Sequence, residues 1–392
     1  MIVYPTITVP ENLLDRDKLS RFECGSYAVV VNTPEVQKEL KVAYGRKNLC
    51  VKVLKGQTPA REIKVYNPVS AYGYHSSYSV STSVQGLKLG DEAYIYGAVP
   101  LWEATTIQNL VARKGLAPRV YGWASVNGLV AQVVDYVPRV RDPDPAAREA
   151  REQNMLQVFE ELEIVSVATT LDLGVNNWRS DKLVDFSHFK FKDYSEYVES
   201  LDVRTRTRRG EVLPKAYQPI PALGIEGSRD IAARIENLKL KDLPFKGASV
   251  LDIGCNLGTF CRYAMDAGAL RVLGIDKIGQ LSFEINNVLE YWNLDIVETE
   301  IPSYLEEKHK AYPRGFRFDI VFLMAVQNYI GGIEAALHLA YPVIKKMIVI
   351  ESHGGEAVEV YDQAFAKFKF SKIEYLGYVE DPQRRHQWVC YK

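Results

Sequence analysis

The chain has 392 residues, which at about 150 residues per domain suggests two or three domains. Hydrophobic residues make up 47% and charged residues 25%, ordinary globular values that exclude a disordered or fibrous chain. The 48 Lys plus Arg against 49 Asp plus Glu give a formal net charge of -1, which argues against a protein held on bulk nucleic acid by phosphate neutralisation.

No run approaches the roughly 18 to 20 consecutive apolar residues of a membrane helix. The opening MIVYPTITVPENLLDRDK has no basic stretch followed by an apolar one, so the expectation is a cytoplasmic chain without a membrane span. Cys24, Cys50, Cys255, Cys261 and Cys390 are scattered and contain no CxxC. They read as reduced, packed thiols rather than a disulfide framework or zinc site.

In chain order, YAVVVN (27–32), LCVKVLK (49–55), AYIYGAV (93–99) and LVAQVVDYV (129–137) read as strands bounded by Gly, Asn and Pro. Between the last two, EATTIQNLVARKG (103–115) places Ile107, Leu110 and Val111 at helical spacing before Gly115. A second helix is expected over 145–170. The aromatic run YNPVSAYGYHSSY (66–78) reads as an insertion loop or hairpin, and 203–223 as a linker that begins basic, with Arg204, Arg206, Arg208 and Arg209. From 247 onward strands and helices alternate, as in a parallel α/β sheet.

The strongest signal is ASVLDIGCNLGTFCRYAMDAGALRVLGIDK (248–277). An apolar strand to Ile253 leads into a glycine-bearing turn, an amphipathic helix and a second strand ending on Asp276. Gly254 and Gly258 let backbone pass where a Cβ would clash, and an acid closing the second strand is placed to accept from a ribose diol. The spacing is Asp252-x-Gly254-x-x-x-Gly258, not GxGxxG.

These residues resemble motifs I and II of the class I S-adenosylmethionine-dependent methyltransferases, and the likeness runs from Ser228 to the C-terminus. It implies an α/β fold with a Rossmann-like seven-stranded sheet over 224–392, with FDIVFLMAV (318–326) and KKMIVIES (345–352) as its fourth and fifth strands and 371–392 as its closing antiparallel pair. It implies S-adenosyl-L-methionine as cofactor, held by Asp252, Gly254, Cys255, Asn256, Gly258, Asp276, Lys277, Ile278 and Met324. The helix within 224–240 would close over the methionine end. Glu351 and His353, just past the fifth strand, are the candidate bases for an acceptor with a proton to lose.

The first 202 residues read as an α+β domain that, from Arg21 to Lys190 and more loosely, resembles the protein-kinase-like and small-molecule phosphotransferase fold. In that likeness Lys52 is the phosphate-binding lysine, Glu103 its ion-pair partner and Asp172 the catalytic carboxylate. Asn177 and Asp185 would hold magnesium, and ATP and Mg2+ are implied if this half is active. It departs from the pattern: Thr170 and Leu171 precede Asp172, and Asp185-Phe186 is followed by Ser187. Together the halves suggest a methyltransferase whose first half binds or phosphorylates a hydroxylated or phosphorylated acceptor such as a glycan terminus. The alternative is an RNA methyltransferase with the first half as a docking module. The oligomeric state is not legible.

Overall fold

The computed structural model describes residues 6–7, 26–30, 38, 40–41, 44, 49–54, 95–96, 99–126, 129–137, 145–167, 173, 178–186, 188–201, 216–313, 315–379 and 384–392. They fall into two compact units, Met1–Ser200 and Leu201–Lys392.

The first unit contains β1 (Thr6–Ile7), β2 (Ser26–Val30), β3 (Leu49–Leu54), β4 (Ile95–Tyr96), β5 (Val99–Pro100) and α1 (Leu101–Arg113). After these come β6 (Val120–Val126), β7 (Leu129–Asp135), α2 (Pro145–Glu161), β8 (Ile164–Ser166), β9 (Trp178–Arg179), β10 (Lys182–Leu183), β11 (Phe189–Phe191) and α3 (Tyr194–Ser200). Five strands form a sheet in the order β1-β6-β7-β3-β2. The β6-β7, β7-β3 and β3-β2 pairs are antiparallel and β1-β6 is parallel. The aromatic run 66–78 and the basic stretch 203–215 lie outside the described residues.

Helix α1 buries Ala104, Ile107, Leu110 and Val111, and Gly115 at φ +79° ends it. The same buried face carries amides that dock it on the β6-β7 hairpin. Asn109 accepts from Val120 N at 2.7 Å and donates to Val120 O at 3.1 Å, and Gln132 donates to Thr105 Oγ1 at 2.6 Å. Truncating one partner strands the other in an apolar setting. Asn109→Ala is therefore expected to lower the stability of this unit by about 1–3 kcal/mol. Urea unfolding of the full chain checks it, and a change below about 0.5 kcal/mol, the level of an ordinary surface substitution, would contradict it.

The helix expected over 145–170 stops at Glu161. Glu163 adopts φ +51°, and the β-branched Ile164 and Val165 that follow enter β8, which pairs antiparallel with β11. The run read as a strand over 93–99 is two short strands, β4 and β5, paired with each other.

The second unit contains α4 (Ile231–Asn237), β12 (Ser249–Ile253), α5 (Thr259–Asp266), β13 (Arg271–Asp276), α6 (Gly279–Val288) and β14 (Leu294–Glu298). It continues with α7 (Ile301–Ala311), β15 (Phe318–Met324), α8 (Ile333–Ala340), β16 (Ile344–Glu351), α9 (Val358–Phe365), β17 (Lys372–Tyr378) and β18 (His386–Tyr391). The seven-stranded sheet has the order β14-β13-β12-β15-β16-β18-β17. The first five strands are parallel, and β18 runs antiparallel to both of its neighbours, β16 and β17. Covered on both faces, the central strands read as nearly unbroken apolar runs, such as VLDI and IVFLM. Alternate residues Leu251, Ile253, Leu273, Ile275, Val321, Leu323, Ile348 and Ile350 pack against Ile301, Leu305, Leu337, Tyr361 and Phe365 of the helices on one face.

The chain runs outward from β12 through β13 to β14, then returns to β12's other side with β15. Strand order reverses there, so the carboxyl ends of β12 and β15 flank the crevice where open α/β sheets bind ligands. Ala216 and Ile220, read as linker from sequence, pack with Leu257 and Ile285 of this unit.

Candidate functional site

After Ile253 the chain turns through Gly254 at φ +76°, Asn256 at φ +50° and Gly258 at φ +78° before entering α5. A Cβ on Gly254 would lie 2.4 Å from Val326 Cγ2, and one on Gly258 would lie 2.8 Å from Asn286 Nδ2. Neighbouring side chains thus require both glycines, so close approach of a ligand is not the sole reason for them.

Asp276 pins this turn. Its Oδ2 accepts from Asn256 N at 2.9 Å and its Oδ1 from Ile278 N at 3.1 Å. Each oxygen keeps acceptor capacity beyond that one bond. Ile278 is 37% exposed at the start of α6, an apolar surface beside the carboxylate. The neighbouring Lys277 makes an exposed pair with Glu300 at 3.0 Å.

Asp252 lies below the turn and is 1% exposed. Cys261 Sγ donates to its Oδ2 at 3.3 Å, while Oδ1 has no hydrogen-bond partner. Burial pushes this carboxyl up to about 7, opposed by the Cys261 bond and aided by the charge of Asp276. Cys255 is buried, with its thiol against the Cys261 thiol and Gly274. It can offer a ligand in the turn its backbone, not its sulfur.

On the far side of the switch, Met324 ends β15 opposite Glu351 of β16. Ala325 is left-handed at φ +58°, which turns the chain over Gly254. Gln327 is fully buried and donates to Glu351 O at 3.1 Å and to the Tyr361 hydroxyl. Tyr329 is 60% exposed, its ring 6.2 Å from that of half-buried His353.

Glu351 differs from its expected role as a base. It is 0% exposed and takes a two-pronged grip from Arg234, Nε to Oε2 at 2.9 Å and Nη2 to Oε1 at 2.8 Å. Arg385 Nη1 adds a bond at 3.2 Å, Gln387 Nε2 one at 2.9 Å, and Arg229 Nη2 lies at 3.9 Å. Burial works to raise its pKa, but Arg234 and then Arg385 outweigh it and hold Glu351 below the ordinary glutamate range. A carboxylate so held accepts no proton from a substrate. The sequence reading missed Arg229 and Arg234; their five-residue spacing in SRDIAARIE gives no hint of a shared carboxylate 117 residues beyond Arg234.

In the first unit, Lys52 is 3% exposed and donates to Val184 O. Burial pushes its pKa down to about 8, opposed by the nearby Asp185 carboxylate. The expected Lys52–Glu103 pair is replaced: Glu103 Oε1 accepts from Phe191 N at 2.9 Å, anchoring α1 to β11. Burial raises the Glu103 pKa and that bond opposes the rise. Asp172 and Asn177 lie outside the described residues. Among the described residues, no group of three His, Cys, Asp or Glu side chains is placed to hold a metal, and no helix is long and apolar enough to cross a membrane.

No family model matches the chain. It is 30% identical over 130 residues to ribosomal protein L11 methyltransferase of Tolumonas auensis, a match covering 32% of this chain and 42% of that protein. The chain thus spans less than half the length of this curated relative. Among solved structures it is similar to the T. thermophilus 16S rRNA N2 G1207 methyltransferase in complex with AdoMet and guanosine. That match has 18% identity and a TM-score of 0.33, covering 42% of this chain and 44% of the other. It is also similar to the N-methyltransferase NodS of Bradyrhizobium japonicum, with 13% identity, a TM-score of 0.33 and coverage of 41% and 95%.

Proposed function

We propose that the second unit transfers a methyl group from S-adenosyl-L-methionine to an acceptor held above the carboxyl ends of β15 and β16. The observation that carries this reading is the pair of carboxylates at the ends of β12 and β13. Asp276 is fixed by two backbone N–H groups with acceptor capacity remaining, and buried Asp252 has an oxygen without a donor. These residues fit the donor: Asp276 suits the ribose diol, Ile278 the adenine face, and Asp252 Oδ1 an ammonium group. The resemblance of 248–277 to the methyl-donor motifs and the partial match to a methyltransferase support the same reading.

The donor supplies an electrophilic methyl group on a sulfonium. The protein's share is to hold the acceptor in line with that carbon and to keep water out. The new bond forms from an acceptor lone pair, the carbon–sulfur bond breaks, and S-adenosylhomocysteine leaves. A neutral hydroxyl or amine must also lose its proton. With Glu351 locked by arginine, His353 is the side chain we assign to receive it, and Tyr329 beside it lines the acceptor's approach.

Calorimetric titration of the full chain with S-adenosylhomocysteine tests the donor site. Saturable binding is expected, weakened about tenfold to a hundredfold by Asp276→Ala, the equivalent of about 1.4–2.7 kcal/mol for two charge-assisted bonds. No saturable binding to folded protein would remove the methyltransferase reading.

A second reading concerns the first unit. Buried Lys52 beside Asp185 is the juxtaposition that the phosphotransferase resemblance implies, a cation for nucleotide phosphates next to a metal-holding carboxylate. We infer a nucleotide-binding role there. Titration with ATP and Mg2+ should show binding that Lys52→Ala abolishes, and equal binding by both chains would dismiss it.

A further inference from the structure

Asp252 and Cys261 are buried, with 1% and 0% exposure, and the Cys261 thiol in the first turn of α5 donates to Asp252 Oδ2 at 3.3 Å. In the sheet, Asp252 lies opposite Gly274 of β13 on one side and Phe322 of β15 on the other. A Cβ on Gly274 would stand 2.8 Å from Cys255 Sγ and 3.0 Å from Cys261 Sγ, so this glycine makes the space that the two thiols fill. The outcome is a carboxylate with two unlike oxygens. Oδ2 has a donor, and Oδ1 is buried with no hydrogen-bond partner.

A buried carboxylate is costly to ionise unless donors or cations meet it. Burial is the chief force raising the Asp252 pKa. The Cys261 bond opposes it, the Asp276 charge adds to it and the Arg234 charge opposes it again. Among these groups on α5, β13 and α4, Cys261 is the one that bonds the carboxylate directly, and the Cys255 thiol of the turn packs against it. A thiol is a weak donor. It can fix one oxygen without neutralising the group as an arginine would, and so leaves the charge to an incoming cation. Cys261 itself stays a thiol, because burial holds its pKa well above the ordinary value.

We propose that Cys261 is a positioning residue of the methyl-donor site: its thiol anchors Oδ2 of Asp252 and so reserves Oδ1 for the ammonium group of the donor. The inference rests on reading the second unit as a methyltransferase, and it names a side chain that acts on the donor without touching it. Its signature is a loss of affinity that depends on pH. Donor binding uses the ionised Asp252, so affinity climbs with pH until the carboxyl has titrated, at about 7 in the parent chain. Without the thiol the ionised form is less favoured, and the climb is completed at higher pH. Cys261→Ala should therefore bind more weakly on the acid side, and the gap should close as pH rises. A cavity or a loosened turn would instead cost affinity equally at every pH.

The test is calorimetric titration of the full chain with S-adenosylhomocysteine between about pH 5.5 and about pH 8.5, a window spanning the Asp252 titration. The parent is compared with Cys261→Ala and Cys261→Ser. Cys261→Ala is expected to bind about threefold to tenfold more weakly at the acid end, the equivalent of a carboxyl raised by about 0.5–1 unit through one lost bond. At the alkaline end it should lie within about twofold of the parent, since both carboxyls are then largely ionised. Cys261→Ser keeps a donor and should move the profile back toward the parent. In the Asp252→Asn chain, which has no carboxylate to hold, adding Cys261→Ala should change affinity by less than about twofold at any pH. A ratio between parent and Cys261→Ala that is the same across the window overturns the proposal, and so does a parent affinity that does not vary with pH. Should Cys261→Ala not fold, Cys261→Val, which also lacks a donor and fills more of the space, takes its place in the comparison. Absence of S-adenosylhomocysteine binding to the folded parent chain at every pH would remove the methyltransferase reading itself, a separate failure.

Discussion

Glu351→Ala is expected to destabilise the second unit by about 3–5 kcal/mol, because it takes from the buried Arg234 guanidinium the carboxylate that grips it twice. Arg234 loses both of its bonds to Glu351, and Arg385 and Gln387 lose one each. Typical domains are stable by about 5–15 kcal/mol, so a third or more of the total is at stake. Urea unfolding followed by circular dichroism measures it. Glu351→Gln retains the size of the side chain and one acceptor oxygen but removes the charge, and should fall between the parent and Glu351→Ala. The outcome also separates two roles: a general base would cost turnover with little change in stability, whereas an anchoring anion costs stability first. A loss under about 1 kcal/mol, the range of an exposed ion pair, would show that the cluster is hydrated and not buried.

The placement of Asp252, Gly254, Gly258 and Asp276 on a strand, turn, helix and strand is legible in the sequence, because each is bound to that local pattern with the acid at a fixed offset. The parallel order of β12, β13, β15 and β16 followed from the same alternation. Glu351 was misread because its neighbours in sequence, Ser352 and His353, say nothing of Arg234, 117 residues away, or Gln387, 36 residues away. Adjacency to a strand end suggests exposure, yet strand alternation and a helix from before the motif enclose the side chain. Likewise β6 escaped notice: VYGWASV includes Gly122, Ala124 and Ser125, poor strand formers, and is held by pairing with β7 and by Asn109. The expected Lys52–Glu103 pair followed a family pattern, whereas the backbone N–H of Phe191 takes the carboxylate here.

The second large effect is a pH dependence set by Asp252. Its carboxyl titrates near 3.9 in an unfolded chain and at about 7 when folded, chiefly because burial disfavours the charged form. Between those values the unfolded chain has released the proton and the folded chain still holds it, so folding binds protons and stability falls as pH rises. The loss is up to about 1.4 kcal/mol per pH unit, roughly 4 kcal/mol accumulated between pH 4 and pH 7. Other groups move with pH too: Asp319, held down to about 2 by its bonds from Ser249 and Lys346 though burial opposes them, and Glu290, raised by burial to about 7. The difference between the parent chain and Asp252→Asn, unfolded in urea at matched pH values, cancels these contributions. Asp252→Asn should gain on the parent as pH rises from about 4 to about 8, by up to the roughly 4 kcal/mol above. Equal slopes in the two chains would mean that water or a cation already serves the carboxylate. Saturating S-adenosylhomocysteine provides the link to function. If its ammonium group rests on Asp252 Oδ1, an opposite charge favours the ionised form and lowers the folded pKa. The parent slope should then flatten toward that of Asp252→Asn. A slope unchanged by the ligand would place the ammonium elsewhere and leave Asp252 as a buried acid that shapes the turn through Cys261 alone.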